Sequence, residues 1–189
     1  MPSAAHDIFQ RHRLTVAEYH RMGEAGILPH DAHVELVEGE IIDMPPIGSL
    51  HAGTVDYIAD VLRLAYSGRA IVRVQNPVLL DLHSEPQPDI ALLRPRPDFY
   101  RSAHPTPADV LLIVEVADTS FAYDTQIKLP LYARRGIPEV WLADLPNRRL
   151  LVHRTPTQMG FQDVQTPTDL SAVTPLLLPG VSINLSGVF

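Results

Sequence analysis

Between Val110 and Asp144 the chain reads VLLIVEVADTSFAYDTQIKLPLYARRGIPEVWLAD, and this stretch leaves few folds open. Val110–Val116 is almost wholly aliphatic, the pattern of a strand covered on both faces. A single carboxylate, Glu115, interrupts it near its end, where a buried charge is costly unless a partner or a metal meets it. Thr119, Ser120 or Asp124 can cap the helix that follows. Pro130 predicts a kink or break around Leu129, because it lacks an N–H and its ring crowds the preceding turn. Gly136 ends the helix, and Glu139–Asp144 forms a second aliphatic strand that carries the only tryptophan. Lys128, on that helix, is the only lysine in a chain with 14 arginines. An ammonium is a compact charge whose pKa can move, whereas guanidinium is a fixed planar fork. An ordinary helix pair with Asp124 four residues earlier would also account for it.

The flanking sequence supplies layers around this unit. Thr15-Val-Ala-Glu18 is a capping box that starts a helix running to about Glu24. His33–Met44 reads as two short strands around Glu38-Gly39, a tight hairpin closed by Pro45-Pro46. His51, Val55, Ile58, Leu62 and Ala65 make one apolar stripe, predicting a helix over 49–66 with His51 near its start. Residues 70–75, 77–82 and 87–93 read as strands, the last entered through Pro88 with Asp89 in first position. Residues 94–109 read as a long loop without structure of its own, locally basic through Arg94, Arg96 and Arg101. A hairpin strand over 148–154 and a tail of short strands and turns complete the chain. We expect one α/β domain over residues 1–189, with 1–13 as a loose polar arm.

Composition narrows the function classes. At 189 residues, 46% apolar and 20% charged, the chain can bury a proper core. The absence of cysteine excludes disulfides and thiolate metal sites. Without an apolar leader or a long apolar run, the expectation is a soluble, cytoplasmic protein with no membrane partner. A formal charge of −7 speaks against a generally basic nucleic-acid-binding surface. Nine histidines show no paired ligand spacing beyond His30–His33, read as coincidence.

Asp89, Glu115 and Lys128 are the residues that can carry chemistry. Two carboxylates at neighbouring strand ends form an oxygen-ligand site for Mg²⁺ or Mn²⁺. A nearby ammonium can orient an attacking water and oppose charge building on a phosphate. A structural carboxylate–lysine network would use the same three residues, and residue chemistry alone does not choose.

Their order does. Pro88-Asp89 followed by Glu115-Val-Ala117 on an aliphatic strand resembles the PD-(D/E)XK nuclease superfamily. The chain is more closely similar to the Uma-two family of restriction-endonuclease-like proteins. The matching pieces are HVELVEGE over 33–40, His51 at a helix start, Gln87-Pro-Asp89, EVADTS over 115–120, Asp124-x-x-x-Lys128-x-x-x-Tyr132 and GIPEVWLAD over 136–144. The third motif position holds Ala117 where the superfamily has lysine, and in chains resembling this family the lysine has moved to the next helix, where Lys128 stands. The resemblance implies a mixed, restriction-endonuclease-like central sheet flanked by helices. It further implies Mg²⁺- or Mn²⁺-dependent hydrolysis of DNA by a homodimer, with Asp89 and Glu115 as metal ligands and Lys128 positioning water. An N-terminal glutamate, Glu35 or Glu40, should complete the metal site. Glu40 is preferred, because a position just past a glycine turn reaches a cleft more easily. His51 is a lesser candidate for a supporting or phosphate contact, and Arg94, Arg96 and Arg101 for contacts to nucleic acid. Three alternatives stand beside this reading: a nucleic-acid-binding protein that does not cut, a hydrolase of smaller phosphoesters, and an oligomeric structural protein whose charged network is only a satisfied core.

Overall fold

A computed structural model describes residues 11–189. Residues 1–10 of the expected arm lie outside the described residues. Helix α1 (Val16–Glu24) opens on the capping box: the Thr15 hydroxyl accepts from the Glu18 N–H, and the Glu18 carboxylate accepts from the Thr15 N–H. A two-stranded hairpin follows, β1 (Val34–Val37) and β2 (Glu40–Asp43). Glu38 and Gly39 take positive φ (50° and 81°), as its tight turn requires. Helix α2 (Ser49–Ala65) buries Val55, Ile58 and Leu62, as the stripe predicts.

The central sheet has six strands in the order β3-β4-β5-β6-β7-β8. These are β3 (Ile71–Val74), β4 (Ile90–Leu93), β5 (Val110–Ala117), β6 (Glu139–Asp144), β7 (Arg149–Thr157) and β8 (Gly160–Gln165). Neighbours run antiparallel except β5 and β6, which are parallel, so the sheet is mixed. A parallel pair needs a crossover, and the helical segment between β5 and β6 supplies it. That segment has three parts: α3 (Phe121–Tyr123), a π-helical turn (Asp124–Lys128) and α4 (Leu129–Arg134). The expected irregularity is this wide turn. The Leu129 N–H donates to the Asp124 carbonyl, five residues back. Widening just before Pro130 relieves the clash a proline ring makes with the carbonyl four residues earlier.

Alternation along β5 sorts the layers. Leu112, Val114 and Val116 face α2 and the C-terminal tail, whose Val173, Leu178, Ile183 and Leu185 join the same core cluster. Ile113 and Ala117 face the opposite side, packed with Leu129, Leu131 and Tyr132 of the crossover segment. Glu115 shares that parity, so the strand aims its carboxylate at the crossover helix.

Two segments differ from expectation. Residues 77–82 form no strand of the sheet. They double back on 84–86 through Val78 N–H to Pro86 O and Leu80 N–H to Ser84 O, because an apolar run broken by prolines cannot complete a ladder. The 94–109 loop carries structure of its own, including a 3₁₀ turn at Pro107–Asp109 closed by Thr106 and Asp109. Among the described residues no helix is long and apolar enough to cross a membrane.

Candidate active site

The start of β4 and the end of β5 meet at one end of the sheet. Two carboxylates continue the pairing there. Asp89, one residue before β4, donates its N–H to Glu115 Oε2 at 3.1 Å, and the Val116 N–H donates to Asp89 Oδ2 at 2.9 Å. The Glu115 side chain is thereby held by the Asp89 backbone, and the Asp89 side chain by the backbone of Val116, the next residue along β5. From the far layer, His51 on the first turn of α2 brings Nε2 to 3.1 Å from Asp89 Oδ2.

Lys128 enters from the π turn. Its ammonium lies 3.3 Å from Glu115 and 3.4 Å from Glu35, and the residue is only 6% exposed. Tyr132 donates to Glu115 at 2.6 Å, and Tyr123 donates to Glu35 at 3.0 Å. The Gln87 N–H also donates to Glu35, tying the hairpin to the entry of β4. Asp124, 4% exposed, accepts from the Ser120 hydroxyl. Glu35, His51, Asp89, Glu115, Asp124 and Lys128 line a cavity of about 670 Å³, together with residues 42–48 and 118–120.

Charge dominates the chemistry. Six carboxylates (Glu35, Asp43, Asp89, Glu115, Asp118 and Asp124) share the cavity with one ammonium and the His33 and His51 imidazoles. Burial pushes the Glu115 carboxyl up to about 8, with Lys128 opposing the shift. Burial raises Asp124 as well. Burial would lower Lys128, yet the charges of Glu115, Glu35, Asp124 and Asp89 outweigh it and hold the amine firmly protonated. The hydrogen bond with Asp89 raises His51, against the effect of burial. A site with surplus buried carboxylate fits a hard divalent cation. Mg²⁺ needs only one or two carboxylates and keeps its own water, which suits Asp89 and Glu115 at the wall of an open cavity.

Asp89, Glu115, Lys128, Glu35 and His51 are brought together. Glu40 is not, and the preference for it over Glu35 is corrected. Glu40 pairs with Val37 across the hairpin and is exposed, whereas Glu35 is 1% exposed against Lys128. All four residues of β1 are buried, and Glu35 is the one that meets Lys128; the turn does not swing Glu40 toward the cleft. Arg94, Arg96 and Arg101 do not line the cavity. Arg94 is held by the Ala108 carbonyl, and Arg96 by Asp98 and the Tyr100 ring. Asp124, Tyr123 and Tyr132 belong to the site but were not singled out for it; the Asp124-x-x-x-Lys128-x-x-x-Tyr132 spacing carried the signal for two of them.

A solved structure described as "a putative nuclease belonging to DUF820" from Anabaena variabilis is similar to this chain at 19% identity and a TM-score of 0.65. The match covers 86% of this chain and 89% of that one, and it extends the fold to a second protein. Among curated proteins none matches. Residues 16–186, nearly the whole chain, match the family described as "Uma2: Putative restriction endonuclease", and the chain belongs to that family.

Proposed function

We propose that this chain is a Mg²⁺- or Mn²⁺-dependent endonuclease that hydrolyses phosphodiester bonds in DNA and acts as a homodimer. The observation that carries the reading is the placement of the sole lysine. Its ammonium sits between Glu115 and Glu35 at the wall of a cavity that also holds Asp89. Asp89 and Glu115 are the ligands in this reading, with Glu35 as the auxiliary carboxylate. A divalent cation there would supply Lewis-acid stabilisation of phosphoryl charge and acidify water at the site.

The chain's own residues do the rest. Lys128, kept protonated by its carboxylate neighbours, presents N–H donors to a water or to a non-bridging phosphate oxygen. Tyr132 and the Asp89 N–H hold the Glu115 carboxylate in one orientation. His51 does the same for Asp89, and as an imidazolium it adds positive charge beside the substrate. Cutting both strands of a duplex takes two such sites, which is the reason for the dimer.

Plasmid nicking with Mg²⁺ and with Mn²⁺ tests the reading. Wild type should nick, and Asp89→Asn should bind less metal and fail to nick. Lys128→Arg, which keeps the charge but replaces a point donor with a fork, should bind metal normally and lose cutting. Nicking by both variants at the wild-type rate would refute the assignment. Sedimentation of wild type should give a dimer. A second reading, a hydrolase of small phosphoesters, is favoured by one observation: among the described residues no arginine lines the cavity to grip a polymer backbone. Turnover of model diesters with no preference for DNA would select it.

A further inference from the structure

Away from the cavity, three side chains from three separate segments converge on one point. His20 lies on α1, Glu85 on the turn that leads into β4, and His104 in the 94–109 loop. One ligand atom from each lies within 4.8 Å of the other two. His20 Nε2 is 2.7 Å from Glu85 Oε1, and the two imidazole rings stand 6.3 Å apart, edge to face. None of the three lines the active-site cavity.

Two members, Glu85 and His104, are sparsely satisfied by the described protein groups. Glu85 is 3% exposed, and the only ion-pair partner found for its carboxylate among the described residues is His20, whose side chain is 44% exposed. A buried carboxylate wants more compensation than a single half-solvated imidazole. His104 keeps Nδ1 buried without a hydrogen-bond partner. Backbone hydrogen bonds tie the three segments together. Val16 N–H to Leu82 O ties α1 to the turn, Glu85 N–H to Leu36 O ties the turn to the hairpin, and Leu79 N–H to Pro105 O ties the loop beside His104 to the same segment.

We propose that His20, Glu85 and His104 form a Zn²⁺ site that fastens α1 and the 94–109 loop to the segment entering the sheet. Two imidazoles and a carboxylate suit zinc and disfavour Mg²⁺, which prefers oxygen alone. With Zn–N and Zn–O bonds of about 2.0–2.1 Å, tetrahedral ligand atoms stand about 3.4 Å apart. That separation falls between the 2.7 Å contact already formed and the 4.8 Å limit of the cluster, so small side-chain rotations complete it. Three protein ligands leave the fourth position to water.

The experiment is zinc titration of the untagged chain against a chromophoric chelator, with Mg²⁺ in large excess. Wild type and Asp89→Asn should each take up one zinc with the same affinity. His20→Gln and His104→Gln, both at positions open enough to tolerate the change, should each bind at least tenfold more weakly. The melting temperature should rise with zinc in wild type and not in the double variant. No zinc uptake by wild type under excess Mg²⁺ would overturn the proposal. So would undiminished uptake by the folded double variant, or loss of uptake in Asp89→Asn, which would move the zinc into the cavity.

Discussion

Glu115→Gln tests the electrostatics of the cavity directly. In metal-free buffer, burial raises the Glu115 carboxyl from its ordinary 4.5 to about 8. Between those values the folded state holds a proton that the unfolded chain has released, so stability must fall as pH rises across this window. The slope approaches about 1.4 kcal/mol per pH unit, and the whole window is worth up to about 5 kcal/mol. Lys128 does not contribute to it, because its amine stays protonated in both states below pH 9. Glutamine resembles the protonated acid in size and polarity. The variant should therefore match wild type near pH 5, gain on it steadily, and be more stable by several kcal/mol at pH 8. Asp124 and His51 are also raised and also cost stability with rising pH, so the difference between the two proteins reports Glu115 together with its interaction with these neighbours. Urea unfolding at half-unit intervals from pH 5 to 8.5, with a chelator present, measures it. A difference curve that is flat, or that favours wild type at high pH, would refute the argument that burial outweighs the lysine.

The same proton should couple to metal. If Glu115 is a ligand, Mn²⁺ affinity should rise from pH 6 to 8, and calorimetry at pH 7 in buffers of different ionisation enthalpy should register close to one proton released per ion. Lys128→Met leaves Glu35 and Glu115 buried without their shared cation, a loss of about 3–5 kcal/mol expected at pH 8. At pH 6 the loss should shrink as Glu115 takes up a proton, and a pH-independent loss in urea unfolding would contradict the network. Gly39→Ala places a Cβ 2.6 Å from Arg13 Cβ at a φ of 81° and should cost about 1–3 kcal/mol of thermal stability. No change would mean that the 11–14 segment does not pack against the hairpin.

What the sequence displayed and what it hid follow a physical line. Features closed within a few residues were legible: the Thr15–Glu18 box, the Glu38-Gly39 turn, the α2 stripe and the unbroken aliphatic run of β5. Each rests on a hydrogen bond or a periodicity that local sequence fully specifies. Residues 77–82 failed because a short apolar run fits a strand or a covered loop equally well, and prolines at 77, 86 and 88 remove the donors a ladder needs. Glu35 and Glu40 could not be ranked from β1 and β2 alone. Their difference is set by how the hairpin lies on α1 and the entry to β4, through contacts such as Gln87 N–H to Glu35. The His20–Glu85–His104 cluster joins residues as far as 84 apart, drawn from a helix, a turn and a loop, and no local spacing announces it.

The π turn is what brings Lys128 onto Glu115. Position 117, where the wider superfamily would carry lysine, lies on the same face of β5 as Glu115 and is fully buried as alanine. A lysine there would climb from the sheet toward the carboxylates. Here the methyl of Ala117 instead lets the crossover segment pack closely, and the ammonium descends from that segment onto the same carboxylate. The turn that delivers it is the one Pro130 forces open, which buries Asp124 and Lys128 together rather than leaving them as a solvated helix pair. One local irregularity thus turns a weak surface interaction into a buried charge network. The sole ammonium of the chain then meets Glu115 from above the sheet instead of from within it.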